Sequence, residues 1–336
     1  MKIPFISFKE RNNQIKHEIL STFEQFFDSQ YYILGDFTKQ FEDSYSNFSN
    51  TNYCIGVSNG LDALHLALKS LGIKEGDEVI LPSNTYIATV LAVSYVGATP
   101  IFVEPNINTF NIDPNLIERA ITPNTRAIIP VHLYGQPCEM VQIMKIAKKY
   151  QLFVIEDNAQ AHGALFNGQI TGSFGDLNAT SFYPSKNLGA FGDAGALTTN
   201  NEQYAEKVKI LRNYGSEKRY FNQEIGYNNR IDECHAAFLS VSLKYVEKWT
   251  LERQQIAKWY AQYLKDIPEI ILPITVEEAT HVFHLYVIRT KRRDELQKYL
   301  SDNGIGTLIH YPIPPHLQAA YQSLGYKKGD FPIAEE

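Results

Sequence analysis

Lys186 follows a strand-like run and precedes a glycine-rich loop. In DLNATSFYPSKNLGAFGDAGAL, the apolar run Ala179-Thr180-Ser181-Phe182-Tyr183 stops at Pro184, and Gly189, Gly192 and Gly195 come after the lysine. Lysine is among the residues least often buried, so a solvated amine after a strand explains this stretch taken alone. Asp157 closes a second apolar run, LFVIED, and alone reads equally well as a helix N-cap. In open α/β sheets ligands bind beyond the carboxyl ends of the strands, so Lys186 and Asp157 are expected on one rim. A third candidate is Ser58-Asn59-Gly60, between YCIGV and the helical pattern LDALHLAL. Backbone amides at a helix N-terminus beside a glycine suit a phosphate, although an ordinary cap has the same sequence signature.

An amine, a carboxylate and a phosphate cradle together point to pyridoxal phosphate. The lysine amine holds the aldehyde, the carboxylate keeps the pyridine nitrogen protonated, and the helix end takes the phosphate. Nucleotide motifs do not compete, because no GxGxxG follows the first strand and no GxxxxGK[ST] occurs. His281 and His284 are spaced H-x-x-H, with His310 and His316 beyond them. On strand-like ground the first two point to opposite faces, so no metal site is expected.

These residues need a frame. From about residue 53 to 200, helical patterns (Leu61, Leu64, Leu68, Leu71; Val141, Met144, Ala147) alternate with short β-rich runs: DEVILPS, TPIFVEP, TRAIIPVHLYG, LFVIED, NATSFYP and GALTTN. The runs are nearly continuous in apolar residues, as in strands of a mostly parallel sheet buried on both faces. The fold class is α/β, with helices covering a central sheet. The first thirty or so residues read as an N-terminal helix. After residue 232 comes one long helical stretch, straight or kinked. A strand (HVFHLYVIRT), a helix (DELQKYLSDNG), a strand (IGTLIHYP) and a short helix follow it. The division expected is a large domain over 1–230 and a smaller α+β domain over 231–336.

The 336 residues are 44% apolar and 20% charged, with a formal net charge of −6. That is an ordinary globular balance. The densest basic group, Lys291-Arg292-Arg293, reads as a solvated helix face, so no nucleic-acid partner is expected. The longest apolar region, Ala88 to Val103, is broken by Ser94, Gly97 and Pro100 and is too short to span a bilayer. The N-terminus carries no apolar run of signal-peptide length. Three scattered cysteines, Cys54, Cys138 and Cys234, make no CxxC and fit a reducing compartment. A cytoplasmic protein without membrane partners is expected.

The segments VSNGLDAL, PSNTYIAT, EDNAQAHGA, SFYPSKNLGAFGDAGAL, RNYGSEKRY, GYNNRIDE and HYPIPPHLQ stand in a specific order. In that order, from about Pro4 to the last residue, the chain resembles the DegT/DnrJ/StrS sugar-nucleotide aminotransferases. The resemblance implies the fold-type I architecture of pyridoxal phosphate enzymes related to aspartate aminotransferase. It makes Lys186 the Schiff-base lysine and Asp157 the partner of the pyridine nitrogen. Gln160 would bond the ring hydroxyl and Tyr86 would stack on the ring. Asn59 and Gly60 would hold the phosphate through their amides, with a bond from the Ser181 hydroxyl. Asn228 would reach the phosphate in a neighbouring subunit, which implies a homodimer with shared active sites. Tyr183, Tyr311 and His316 would contact substrate. Two departures stand out. Leu61 takes a place where many relatives have threonine. Relatives also continue past FPIAEE, which leaves the small domain incomplete or the sequence truncated.

The implied reaction moves an amino group from glutamate to the cofactor, leaving pyridoxamine phosphate, and then to a nucleotide-linked keto sugar. SFYPSK, with Tyr183 where C4-aminating relatives often have histidine, resembles the branch acting on dTDP-3-keto-6-deoxyhexoses, and HYPIPPHLQ points the same way. The alternatives are a C4 aminotransferase on a dTDP- or UDP-4-keto sugar, a pyridoxamine-dependent sugar dehydratase, a non-catalytic sugar-nucleotide sensor and an NAD-linked dehydrogenase. Dehydratases of the family carry histidine in place of Lys186. A sensor would need neither Lys186 nor Asp157, and the glycine fingerprint of the last is missing.

Overall fold

The computed structural model describes residues 2–336. Its centre is a seven-stranded sheet built from β1 (Tyr53–Val57), β2 (Glu78–Pro82), β3 (Thr99–Val103), β4 (Thr125–Ile128), β5 (Phe153–Asp157), β6 (Leu177–Ser181) and β7 (Gly195–Thr199). The spatial order is β1-β7-β6-β5-β4-β2-β3. Strands β3, β2, β4, β5 and β6 run parallel, and β7 runs antiparallel to both β6 and β1. Every residue of β7 is buried, as the unbroken apolar run requires of a strand covered on both faces.

Helices supply the two covers. On one face α3 (Gly60–Ser70), α4 (Ile87–Tyr95) and α6 (Glu202–Arg212) present Leu64, Leu68, Val90, Val93, Val208 and Leu211 to Ile55, Leu81 and Ile155 of the sheet. On the other face α2 (Asp36–Phe48), α5 (Met140–Tyr150) and α7 (Glu233–Leu243) bring Phe41, Tyr45, Ile143, Ile146 and Leu239. The inward face of α5 is set by Met140, Ile143, Ile146 and Ala147; Val141, which the periodicity placed on that stripe, is 61% exposed.

The N-terminal helix forms as α1 (Lys9–Ser29), packed on α7 through Ile15 and Val241, with Trp249 of the following helix in the same cluster. Helix α2 was not anticipated. Its first-turn amides are met by the buried Glu233 carboxylate, which accepts from Gly35 N at 2.7 Å and Thr38 N at 3.0 Å. A carboxylate at the positive end of a helix dipole is favourable, but this one comes from residues far away in sequence. The long C-terminal helical stretch breaks at Lys244-Tyr245 into α7 and α8 (Val246–Leu264). The next expected helix is α9 (Arg293–Asp302).

The two C-terminal strands expected over 281–290 and 305–312 do not form. Their backbone pairing consists of the isolated bridges Ile271↔Arg289 and Ile3↔Ile305 and of scattered single bonds, such as Val282 N to the Gly135 carbonyl and Leu285 N to the Tyr134 carbonyl. An apolar, β-branched segment becomes a strand only beside a neighbour that completes its ladder. Here the 281–284 segment satisfies its backbone otherwise: the carbonyls of Val282 and His281 accept from the side chains of Asn187 and Gln254.

Candidate active site

The carboxyl ends of β1, β5 and β6 open on one rim of the sheet, and the start of β7 lies against it. Asp157 ends β5 and pairs in register with Ala179 of β6. Ser181 ends β6 opposite Gly195, and Gly195 in turn faces Val57 at the end of β1. Asp157, Ser181 and the Ser58-Asn59-Gly60 turn therefore share a rim because their strands share a direction. Lys186 lies in the loop that continues from β6.

The Asp157 carboxylate is buried and held by two donors. Thr89 Oγ1 of α4 donates to Oδ2 at 2.8 Å and the Ala159 amide to Oδ1 at 3.2 Å. Burial pushes its pKa up, while these two bonds and the nearby positive charge of Lys186 pull it back down. Lys186 is half-buried, and desolvation brings its pKa down to about 8 against the raising effect of Asp157. Lysine and carboxylate thus each favour the charged form of the other.

At the β1–α3 junction the Asn59 side chain accepts from Asp62 N at 2.8 Å and caps the helix. The amide of Ala63 takes the Asn59 carbonyl, so the amides of Gly60 and Leu61 precede the first intrahelical acceptor and face the rim. Glycine is required at 60 by close approach: a Cβ there would lie 2.7 Å from Ser181 Cβ, and one on Gly195 would lie 2.4 Å from the Asn59 carbonyl carbon. Ser181 Oγ, 3.4 Å from the position of that added Cβ on Gly60, is directed at the same spot. This cradle is shaped for an anion.

Pyridoxal phosphate fits the donor set. Two free amides and a serine hydroxyl stand where a phosphate would be held. A buried carboxylate stands where a pyridinium would be held, and an amine of lowered basicity where an aldehyde would be met. Tyr86, at the start of α4, has its ring 5.3 Å from that of Tyr311 and is 53% exposed, free to stack on a flat ligand. Gln160 lies just past Asp157, with Nε2 donating to Tyr311 Oη at 3.1 Å and Oε1 accepting from Tyr134 N at 2.6 Å.

The remaining expected residues are less gathered. Tyr183 is 54% exposed, and its amide donates to Ser181 Oγ at 3.3 Å. Asn228 is exposed on a segment bridged to Asn213. His316, expected to contact substrate, is buried between Phe102 and Phe331 with Nε2 2.9 Å from Glu335. The C-terminal turn that carries Phe331 and Glu335 closes over its ring. Thr89 and Tyr134 were missed. Their sequence surroundings are ordinary, and only the sheet order brings them to Asp157 and Gln160.

Comparison with known proteins decides the family. The pattern of the DegT/DnrJ/EryC1/StrS aminotransferase family matches residues 13–336. The chain belongs to this family. It is 51% identical to a dTDP-3-amino-3,6-dideoxy-alpha-D-galactopyranose transaminase of Aneurinibacillus thermoaerophilus, over 99% of this chain and 91% of that one. It is 44% identical to a dTDP-3-amino-3,4,6-trideoxy-alpha-D-glucose transaminase of Streptomyces venezuelae, over 99% and 88%. Among solved structures it is similar to S. venezuelae DesV in complex with a ketimine intermediate, with a TM-score of 0.98 and 44% identity, over 99% of this chain and 90% of that one. The protein is an aminotransferase of the pyridoxal phosphate α/β fold. Among the described residues no helix is long and apolar enough to cross a membrane.

Proposed function

We propose that this aminotransferase passes the amino group of glutamate to C3 of a dTDP-linked 3-keto-6-deoxyhexose, giving a dTDP-3-amino-3,6-dideoxyhexose. The observation that carries the reading is the convergence of Lys186, Asp157 and the Gly60 cradle on one rim, in a chain half identical to a transaminase named for a dTDP-3-amino-3,6-dideoxy sugar. Lys186 and Asp157 are the catalytic pair. Asn59, Gly60, Ser181, Tyr86 and Gln160 hold the cofactor, with Asn228 serving the neighbouring subunit of a homodimer.

Pyridoxal phosphate, when bound, supplies a ring that accepts electrons from the carbon losing its proton. The chain does the rest. Asp157 fixes a negative charge at the base of the site and keeps the opposing ring nitrogen protonated. Lys186 has a pKa of about 8, so a useful fraction is free amine near neutrality and can take a proton from one carbon and return it to another. Tyr183 and Tyr311 present hydroxyls to the sugar. Three unpaired thiols support a reducing, cytoplasmic setting.

The test is to load the enzyme with amino groups from glutamate, then offer dTDP-3-keto-6-deoxyhexose and dTDP-4-keto-6-deoxyglucose separately. NMR of the product locates the new nitrogen. An amine at C3 is expected. An amine at C4, with the 3-keto sugar ignored, removes the C3 reading and keeps the aminotransferase.

A further inference from the structure

Tyr134 occupies the left-handed region of backbone space, at φ 59° and ψ 0°, and is buried. A bulky side chain persists there only where its surroundings over-determine it. Three of its polar groups are tied to three different places. The amide donates to Gln160 Oε1 at 2.6 Å, the carbonyl accepts from Leu285 N at 3.2 Å, and the hydroxyl donates to the carbonyl of His310. The ring packs edge-on against Phe110 at 5.5 Å.

The first of these ties settles the Gln160 amide. Its oxygen is taken by a backbone donor, so its NH2 group faces the other way and donates to Tyr311 Oη at 3.1 Å. The Tyr311 oxygen is thereby used as an acceptor, and its own proton is left to donate. Burial pushes the Tyr311 hydroxyl up to about 12, so that proton stays on through the working pH range. The third tie holds the residue preceding Tyr311 in the chain. Tyr311 is therefore fixed from two sides, with its ring beside that of Tyr86.

We propose that Tyr134 is a positioning residue for the sugar half of the reaction: by orienting Gln160 and holding His310, it sets the Tyr311 hydroxyl as a neutral donor to the ketone oxygen of the incoming sugar. The inference rests on the aminotransferase reading above. A neutral phenol suits a neutral carbonyl oxygen, whereas the carboxylates of an amino acid draw charged donors. The two half-reactions should therefore separate.

Single-turnover measurements on the holoenzyme test this. Tyr134→Phe removes one hydroxyl and leaves the ring and the amide bond to Gln160. Its half-reaction with the keto sugar should slow by about tenfold, the effect of one misplaced neutral hydrogen bond, while that with glutamate stays at the wild-type rate. Tyr311→Phe should slow the sugar half-reaction at least as much. The double variant should be no slower than Tyr311→Phe, because Tyr134 acts through Tyr311. Losses that multiply in the double variant, or an equal loss with glutamate, overturn the proposal. If Tyr134→Phe does not fold, Tyr311→Phe decides alone: a sugar half-reaction at the wild-type rate overturns it. A wild-type enzyme that accepts nitrogen from glutamate and passes it to no keto sugar would instead remove the sugar reading itself, before any variant is made.

Discussion

Thr89 Oγ1 donates to Asp157 Oδ2 at 2.8 Å, and the Thr85 hydroxyl lies 2.7 Å from the same Thr89 oxygen. A hydroxyl has one proton, so Thr85 donates to Thr89 and Thr89 to Asp157. Both threonines are buried, so no water can replace either bond. Thr89→Val keeps the shape and removes the donor. The bond to Thr89 lowers the Asp157 pKa, so its loss raises it, and the carboxylate then holds a proton at higher pH. The expected outcome is a drop in kcat of about tenfold or more, the range for a hydrogen bond to a charged group, with the acid limb of the pH profile moved to higher pH. An unchanged acid limb would show that Asp157 does not depend on this bond.

Lys186 gives a second pH dependence, of opposite origin. Its amine is brought to about 8, so the neutral, reactive form appears as pH rises through that value rather than through the ordinary lysine range. Uptake of pyridoxal phosphate by the apoprotein should accelerate with pH, with a midpoint near 8. Asp157 raises this pKa, so Asp157→Asn should move the midpoint lower. Lys186→Ala should abolish the absorbance band of the imine between lysine and cofactor and reduce turnover by roughly 10²–10⁴-fold or more. Stopped-flow absorbance across pH measures all three.

Much of this was legible because buried parallel strands and their flanking turns leave local signals. YCIGV, LFVIED and NATSFYP each end where chemistry begins, and a shared strand direction then places Asn59, Asp157 and Lys186 on one rim. The partners that hold Asp157 and Gln160 were not legible. Thr89 and Tyr134 matter through distances of 2.8 and 2.6 Å across the fold, and neither carries a local signature. The cover over His316 was not legible either: Phe331 and Glu335 fold back over the ring, and no local signal announces it. The 281–290 and 305–312 segments have strand composition, but composition does not supply the neighbour that a ladder needs.

The phosphate cradle makes a steric prediction. In Gly60→Ala the new Cβ would meet Ser181 Cβ at 2.7 Å, and the Ser181 backbone Cα would lie at 3.2 Å. Backbone cannot yield as a flexible side chain does, so the α3 N-terminus must move off the end of β6. Overpacking of this kind costs about 1–3 kcal/mol, while alanine itself is a better helix former than glycine by about 1 kcal/mol. The net effect on unfolding should be small. Loss of the cradle should be large, with cofactor released readily on dilution or dialysis. Comparing the melting temperature of the apoprotein with the dissociation constant for pyridoxal phosphate separates the two; a variant with wild-type affinity would show that the Gly60 amide does not touch the phosphate.

Asn228 is exposed, and its segment is anchored from both sides. Asn213 bridges it, and the neighbouring Tyr227 packs on His65 of α3 with ring centroids 4.7 Å apart. A side chain held out in this way, in a chain whose dimer is proposed to share its sites, should complete the partner's cradle rather than its own. Subunit mixing tests this without a structure of the dimer. Lys186→Ala leaves one chain without its amine, and Asn228→Asp gives the other a negative charge facing the phosphate. Neither homodimer should be active. In the mixed dimer, one site combines the intact lysine of the second chain with the intact asparagine of the first, and the other site has neither. Random mixing in equal amounts makes half of the dimers mixed, each with one competent site, so about a quarter of wild-type activity should return. If Asn228 acted within its own chain, every site in the mixture would carry one lesion. Activity would then stay at the level of the homodimers, even with mixed dimers shown to form by native mass spectrometry.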